Sequence, residues 1–154
     1  MRHGTTRAAV TAALGLAGLG LLGGTAVAAP EAPEAPEAMA SWTTSYDDWD
    51  DNQDTGGISA QEVAEKNGTD EWVSGSFYAY GEKVYVGDQH DNDRRSIVRL
   101  WVGGSGPAVF YSDGDGTTRS IDTSYEDGQT VRIQACTSDS ANAVCTERLA
   151  KGKS

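Results

Sequence analysis

Histidine is nearly missing from this chain: two of its 154 residues are histidine, and only His90 lies beyond the first few positions. One imidazole is too few for a Cys/His metal site. No serine stands in a G-x-S-x-G elbow, so the hydrolases built on that turn find no nucleophile here. C-x-x-C is absent as well, which removes dithiol redox chemistry. The apolar run from Ala8 to about Gly23 covers about 16 residues, short of the roughly 20 that a membrane-spanning helix needs. Basic residues are scarce in one stretch above all. From Ala29 to Glu71, twelve Asp and Glu face Lys66 alone, a net charge of −11, whereas Trp72 to Ser154 carries −2. Nucleic acid and anionic membrane surfaces are poor partners for such a chain. The acidic stretch reads as a solvated extension.

What is present points first to export. Arg2 and Arg7 give a positive start, the apolar run is rich in Ala, Leu and Gly, and Ala26-Val27-Ala28 supplies the small-x-small pattern of a cleavage site. This predicts a signal peptide over 1–28, cut after Ala28, and a secreted, extracellular product. Pro30 and Glu31 follow in place of a stop-transfer charge pattern, which argues against a membrane anchor.

The rest divides by composition. Residues 29–58 open with Pro-Glu-Ala three times over and continue into an aromatic, aspartate-rich stretch holding Trp42, Tyr46 and Trp49. Proline at every third position and repeated like charge predict a disordered, acidic, semi-rigid linker. Residues 59–73 predict a short helix over 60–66 and a connection, with Ser59 and Glu62 as a capping box and Asn67-Gly68 as the stop. Asn67-Gly68-Thr69 also fits the N-glycosylation pattern, and the stop is the preferred reading. From 74 to 150 the chain turns to strands, near 76–80, 83–87, 96–102, 108–112, 118–123, 130–137 and 144–150. Val131, Ile133 and Ala135 alternate with Thr130, Arg132 and Gln134, and Val98, Leu100 and Val102 alternate with Ile97, Arg99 and Trp101. Gly-, Asn- and Asp-rich turns separate the strands. The expectation is an all-β fold: a small antiparallel β-sandwich of about seven strands, immunoglobulin-like or fibronectin-like, with Phe77 and Trp101 in its core and a tail over 151–154.

Two cysteines remain, Cys136 and Cys145, with eight residues between them. An even count in an exported chain favours a disulfide. It would staple the last two strands and contribute roughly 2–3 kcal/mol by the chain-entropy model.

The runs GSFYAYGEKVYV and YEDGQTVRIQAC, with the closing Cys145, resemble small secreted β-rich proteins of actinomycetes such as Streptomyces. The resemblance covers about Ser74 to Ala150 and rests on turns, strand edges and the cysteine pair. It implies a β-rich fold and an extracellular location, and brings no activity with it.

Three kinds of site are candidates. Asp51 to Glu62 matches a calcium-binding EF-hand loop at Asp51, Gly56, Ile58, Ser59 and Glu62. Its ligand set would be Asp51, Gln53, Thr55, Gly57, Ser59 and Glu62, with Ca2+ as the one candidate cofactor. Gln53 and Thr55 depart from the usual ligand types, and no second loop pairs with it, so the capping-box reading competes and is preferred. Asp88, Asp91 and Asp93 with His90, and Asp113 with Asp115, form further acidic clusters that suit either turns or calcium. Paired carboxylates for glycoside hydrolysis are a third possibility. Tyr78, Tyr80 and Tyr85 are candidates for a binding face, the alternative being core packing. The expectation is a secreted, monomeric, non-enzymatic binding module for a polysaccharide or a protein partner. A calcium-binding structural protein is second and a small hydrolase third.

Overall fold

β-Branched and aromatic residues spaced two apart recur in Ile97–Val102 and Thr130–Cys136, and the backbone there is extended. A computed structural model describes residues 41–147 and 149–154. Among them are nine strands and no α-helix: β1 (Trp42–Asp50), β2 (Ile58–Lys66), β3 (Trp72–Tyr78), β4 (Lys83–Asp88), β5 (Ile97–Val102), β6 (Ser105–Tyr111), β7 (Thr117–Asp122), β8 (Thr130–Cys136) and β9 (Ala150–Lys153). All neighbouring strands are antiparallel. They form one sheet in the order β6-β5-β8-β9-β2-β3-β4-β7, and β1 pairs along the whole of β2.

The sheet curls until its two halves face each other. Phe77, Val84 and Val86 of β3 and β4 pack with Val98 and Leu100 of β5 and with Val131 and Ile133 of β8, none more than 1% exposed. Full burial of each such side chain is worth roughly 1.5–3 kcal/mol. The halves approach closely at Gly75, where a Cβ would lie 2.6 Å from Val98 Cγ2. A smaller cluster of Trp42, Ala64, Val73 and Val144 closes another part of the interior.

The all-β, antiparallel expectation holds. The seven-strand sandwich is corrected to nine strands in one near-barrel sheet, because β9 pairs β8 on one side and touches β2 through Ile58 and Lys153 on the other. The helix over 60–66 is corrected to β2, and its Asn67-Gly68 stop to the turn between β2 and β3, with Gly68 at φ 80°. Ala, Gln, Glu and Lys favour a helix locally, but pairing with strands on both sides overrides that preference. Burial at Ala60, Glu62 and Ala64 repeats every second residue, as a strand requires.

The linker expectation is corrected from residue 41 onward. β1 pairs residue by residue from Trp42↔Lys66 to Asp50↔Ile58, and Trp42 is buried. Residues 1–40, which hold the signal and the Pro-Glu-Ala repeats, lie outside the described residues. The strand expected over 144–150 is reduced to a single bridge between Cys136 and Cys145, and β9 takes up the pairing from Ala150. Trp101 is half-buried opposite Arg132, on the outward side of β5, and does not join the core.

The Cys136–Cys145 disulfide is formed, with Cα atoms 4.0 Å apart. Backbone bonds reinforce it on both sides, from Thr137 N to Val144 O (2.9 Å) and from Thr146 N to Ala135 O (2.9 Å). Replacing both cysteines by alanine is expected to lower unfolding stability by roughly 2–3 kcal/mol in a urea titration. An unchanged midpoint would mean that the backbone bonds alone hold the loop.

Candidate functional site

With the inner face of the sheet filled by aliphatic residues and Phe77, alternation sends Trp49, Tyr78 and Tyr85 to the outer face. Register then sets them in a row across β1, β3 and β4. Trp49 is paired with the buried Ser59 of β2, Tyr78 with Lys83, and Tyr85 with Ser76. The small Ser59 leaves room for the rings to meet. Trp49 and Tyr78 are 5.5 Å apart between centroids at 76°, and Tyr78 and Tyr85 are 5.0 Å apart at 66°. Such edge-to-face pairs each add about 0.5–1.5 kcal/mol beyond burial and fix the rings in place. Tyr78 is still 39% exposed.

Polar side chains frame the row. Gln61 pairs with Ser76, Ser120 lies opposite Tyr85, and Lys83 bonds Asp122 at 3.1 Å. Hydrogen bonding to Asp122 and its negative charge raise the Lys83 pKa, which keeps this exposed cation charged beside the rings.

Of the three tyrosines singled out in the sequence, Tyr78 and Tyr85 come together and Tyr80 does not. Tyr80 lies beyond the end of β3 and its N–H donates to Asp51 Oδ2 at 3.3 Å. Trp49 was missed, because its acidic surroundings read as linker. The signal was the alternation of β1 against β2, visible only once β2 is recognised as a strand.

Of the calcium-loop residues, Asp51, Gln53, Gly57 and Ser59 meet at the base of the loop, and Glu62 does not join them. Asp51 caps its own loop, accepting from Gln53 N (3.0 Å) and Ser59 Oγ (3.3 Å), and Gly57 N bonds Asp54 O. Thr55 is exposed at the loop tip. Glu62 belongs to the opposite face of β2 from Ser59, is buried, and accepts from Ala150 N at 2.5 Å. An EF-hand needs a helix to return that glutamate to the ion, and a strand turns it away. Among the described residues, no group of three or more His, Cys, Asp or Glu side chains gathers as a metal site.

A second constellation is buried. Asp88 accepts from Ser96 N (2.7 Å), Ser112 Oγ (2.6 Å) and His90 N (3.3 Å). The His90 ring packs edge-on to Trp42 at 4.9 Å. Arg94 N donates to Asn92 Oδ1, so Asn92 Nδ2 faces His90 Nδ1 at 2.8 Å and donates to it. His90 therefore carries its proton on Nε2, which donates to Glu71 Oε2 at 3.2 Å. Lys66 completes the chain with 3.0 Å contacts to both Glu71 oxygens. With His90 1% exposed, this network serves as an internal clamp. Asp91 is exposed, Asp113 pairs with Arg119 at 3.5 Å, and Asp115 Oδ2 accepts from Asp93 N at 3.3 Å, as expected for turn aspartates.

No family model matches the chain, and no curated protein or solved structure matches it.

Asp88→Ala would strand three buried donors, and a loss of about 3 kcal/mol is expected in denaturant unfolding. A loss below about 1 kcal/mol would show that the clamp is dispensable.

Proposed function

We propose that the chain is an exported, non-enzymatic binding module that takes a neutral polysaccharide on the row Trp49–Tyr78–Tyr85. The observation that carries this reading is the row itself: three rings locked edge to face on an outer sheet face, bordered by Gln61, Ser120 and the Lys83–Asp122 pair. Sugar rings present apolar CH faces with hydroxyls at their rims. An aromatic strip edged by amide, hydroxyl and charged groups complements that alternation. A protein interface would be expected to place a wider apolar core where Gln61 and Ser120 stand.

Charge selects among polymers. From Ala29 to Ser154 the chain carries a net −13, which disfavours anionic glycans and leaves neutral ones such as cellulose and chitin. Binding is favoured over catalysis because His90 is buried inside the clamp, away from any substrate on the row. In this reading the halves of the sheet act as the layers of a sandwich, one outer face being given to the ligand. Export to the environment of a wall or extracellular polymer, as in the actinomycete proteins the strand region resembles, fits the disulfide, which belongs to oxidising compartments.

The test is retention on insoluble cellulose and chitin. The native chain is expected to be retained on at least one. Tyr78→Ala should weaken retention about 10-fold, corresponding to about 1.4 kcal/mol, while Tyr78→Phe keeps it. Retention on neither polymer, or retention indifferent to Tyr78→Ala, would overturn the reading.

A further inference from the structure

Among the described residues no pairing joins β6 and β7, the two ends of the strand order, and beside this seam lies a cavity of about 430 Å³. Leu100, Val102 and Ala108 line it from β5 and β6. Tyr125, Glu126 and Gln129 line it from the connection between β7 and β8. The volume falls in the range of small-molecule sites, about 300–1,000 Å³.

The walls are pre-formed. Tyr125 N donates to Glu82 Oε2 at 2.6 Å, and its ring packs on Phe77 with centroids 6.5 Å apart. Ser154 Oγ donates to Glu126 O and accepts from Gln129 N, while Gly128 N bonds Ser154 O. Gly103 N bonds Thr130 O at 3.0 Å, which holds the opposite lip. A ligand would meet a shaped site with little ordering cost.

Chemistry narrows the occupant. The aliphatic wall calls for an apolar body. Burial raises the Tyr125 pKa, so its phenol stays protonated near neutral pH. Among the described residues that line the cavity, Glu126 is the one that carries a charge, and it is exposed. A single carboxylate does not hold a divalent cation, which needs several oxygen ligands. A carboxylate beside an aliphatic wall suits an organic ammonium with an apolar tail.

We propose that this cavity binds a small aliphatic amine, its chain against Leu100, Val102 and Ala108 and its ammonium at Glu126. The site is separate from the aromatic row: the row occupies the outer face of β1, β3 and β4, whereas the cavity opens between β6 and the β7–β8 connection.

The experiment is calorimetric titration of the full chain with n-octylammonium, octanol and octanoate, each below its micelle concentration. Octylammonium is expected to bind about 3–5-fold tighter than octanol, the range an exposed ion pair supplies, with octanoate weakest. Glu126→Gln should remove the preference for octylammonium over octanol. Ala108→Trp, at an exposed position of an end strand, should cover the cavity and weaken octylammonium at least 10-fold with an unchanged melting midpoint. Tyr78→Ala should leave amine binding as it is, so the two sites fail or stand separately. Octanoate binding as tightly as octylammonium, no effect of Glu126→Gln on that preference, or no effect of Ala108→Trp would overturn the proposal.

Discussion

Asp88 ends β4 with a carboxylate that water hardly reaches, and donors from three places converge on it: Ser96 ahead of β5, Ser112 just past β6, and the backbone of His90. A buried carboxylate costs several kcal/mol unless its lone pairs are met. Here they are met where the chain leaves the β2-β3-β4-β7 half of the sheet and enters the half containing β5, β6 and β8. The hydrogen bond to His90 also sets where the imidazole goes, and the imidazole meets Trp42, the first residue of β1. One carboxylate thus links the facing of the two halves to the seating of β1. The aromatic row inherits that seating, since Trp49 belongs to the same strand.

Legibility in the sequence followed how each strand earns its pairing. β8 and β5 were readable because Val131, Ile133 and Ala135, and Val98 and Leu100, are large or apolar at every second place and all are buried. The disulfide was readable from cysteine count and spacing. β2 was not. Its inward positions are Ala60, Glu62 and Ala64, two small residues and a carboxylate, so the period of two carries almost no apolar contrast. Ser59 and Glu62 also sit at capping-box spacing, and local signals spoke for a helix. The decisive facts were non-local: β1 and β3 bind the two edges of β2, and Ala150 N, 88 residues away, satisfies the Glu62 carboxylate. With residues 60–66 read as a helix, β1 has no partner strand and Trp49 no place in the row. Two tyrosines of the candidate site were therefore visible and the tryptophan was not.

The inner and outer faces of this sheet do different work under one rule. Inside, Gly75 lets β3 and β5 approach, and aliphatic side chains fill the space between them. Outside, the same alternation lets Tyr78 meet Trp49 and Tyr85 edge to face. Their mutual contacts hold the rings in a fixed relation, which lowers the side-chain entropy they retain in the folded chain. The Cys136–Cys145 loop has a comparable double role. It closes the end of β8 and delivers Val144 to the cluster beneath Trp42, which supports β1 from within.

The two end strands carry a consequence for behaviour at high local concentration. Among the described residues the outer edges of β6 and β7 have no partner strand, and such edges are templates on which another chain could add a strand, the first step toward fibrils. β6 contains Pro107, which has no N–H to offer, and β7 carries Arg119 among Thr and Ser residues and ends at Asp122. A protein crowded onto a solid surface meets its own copies far more often than one free in solution. The proline and the charges along this seam work against edge-to-edge growth under such crowding.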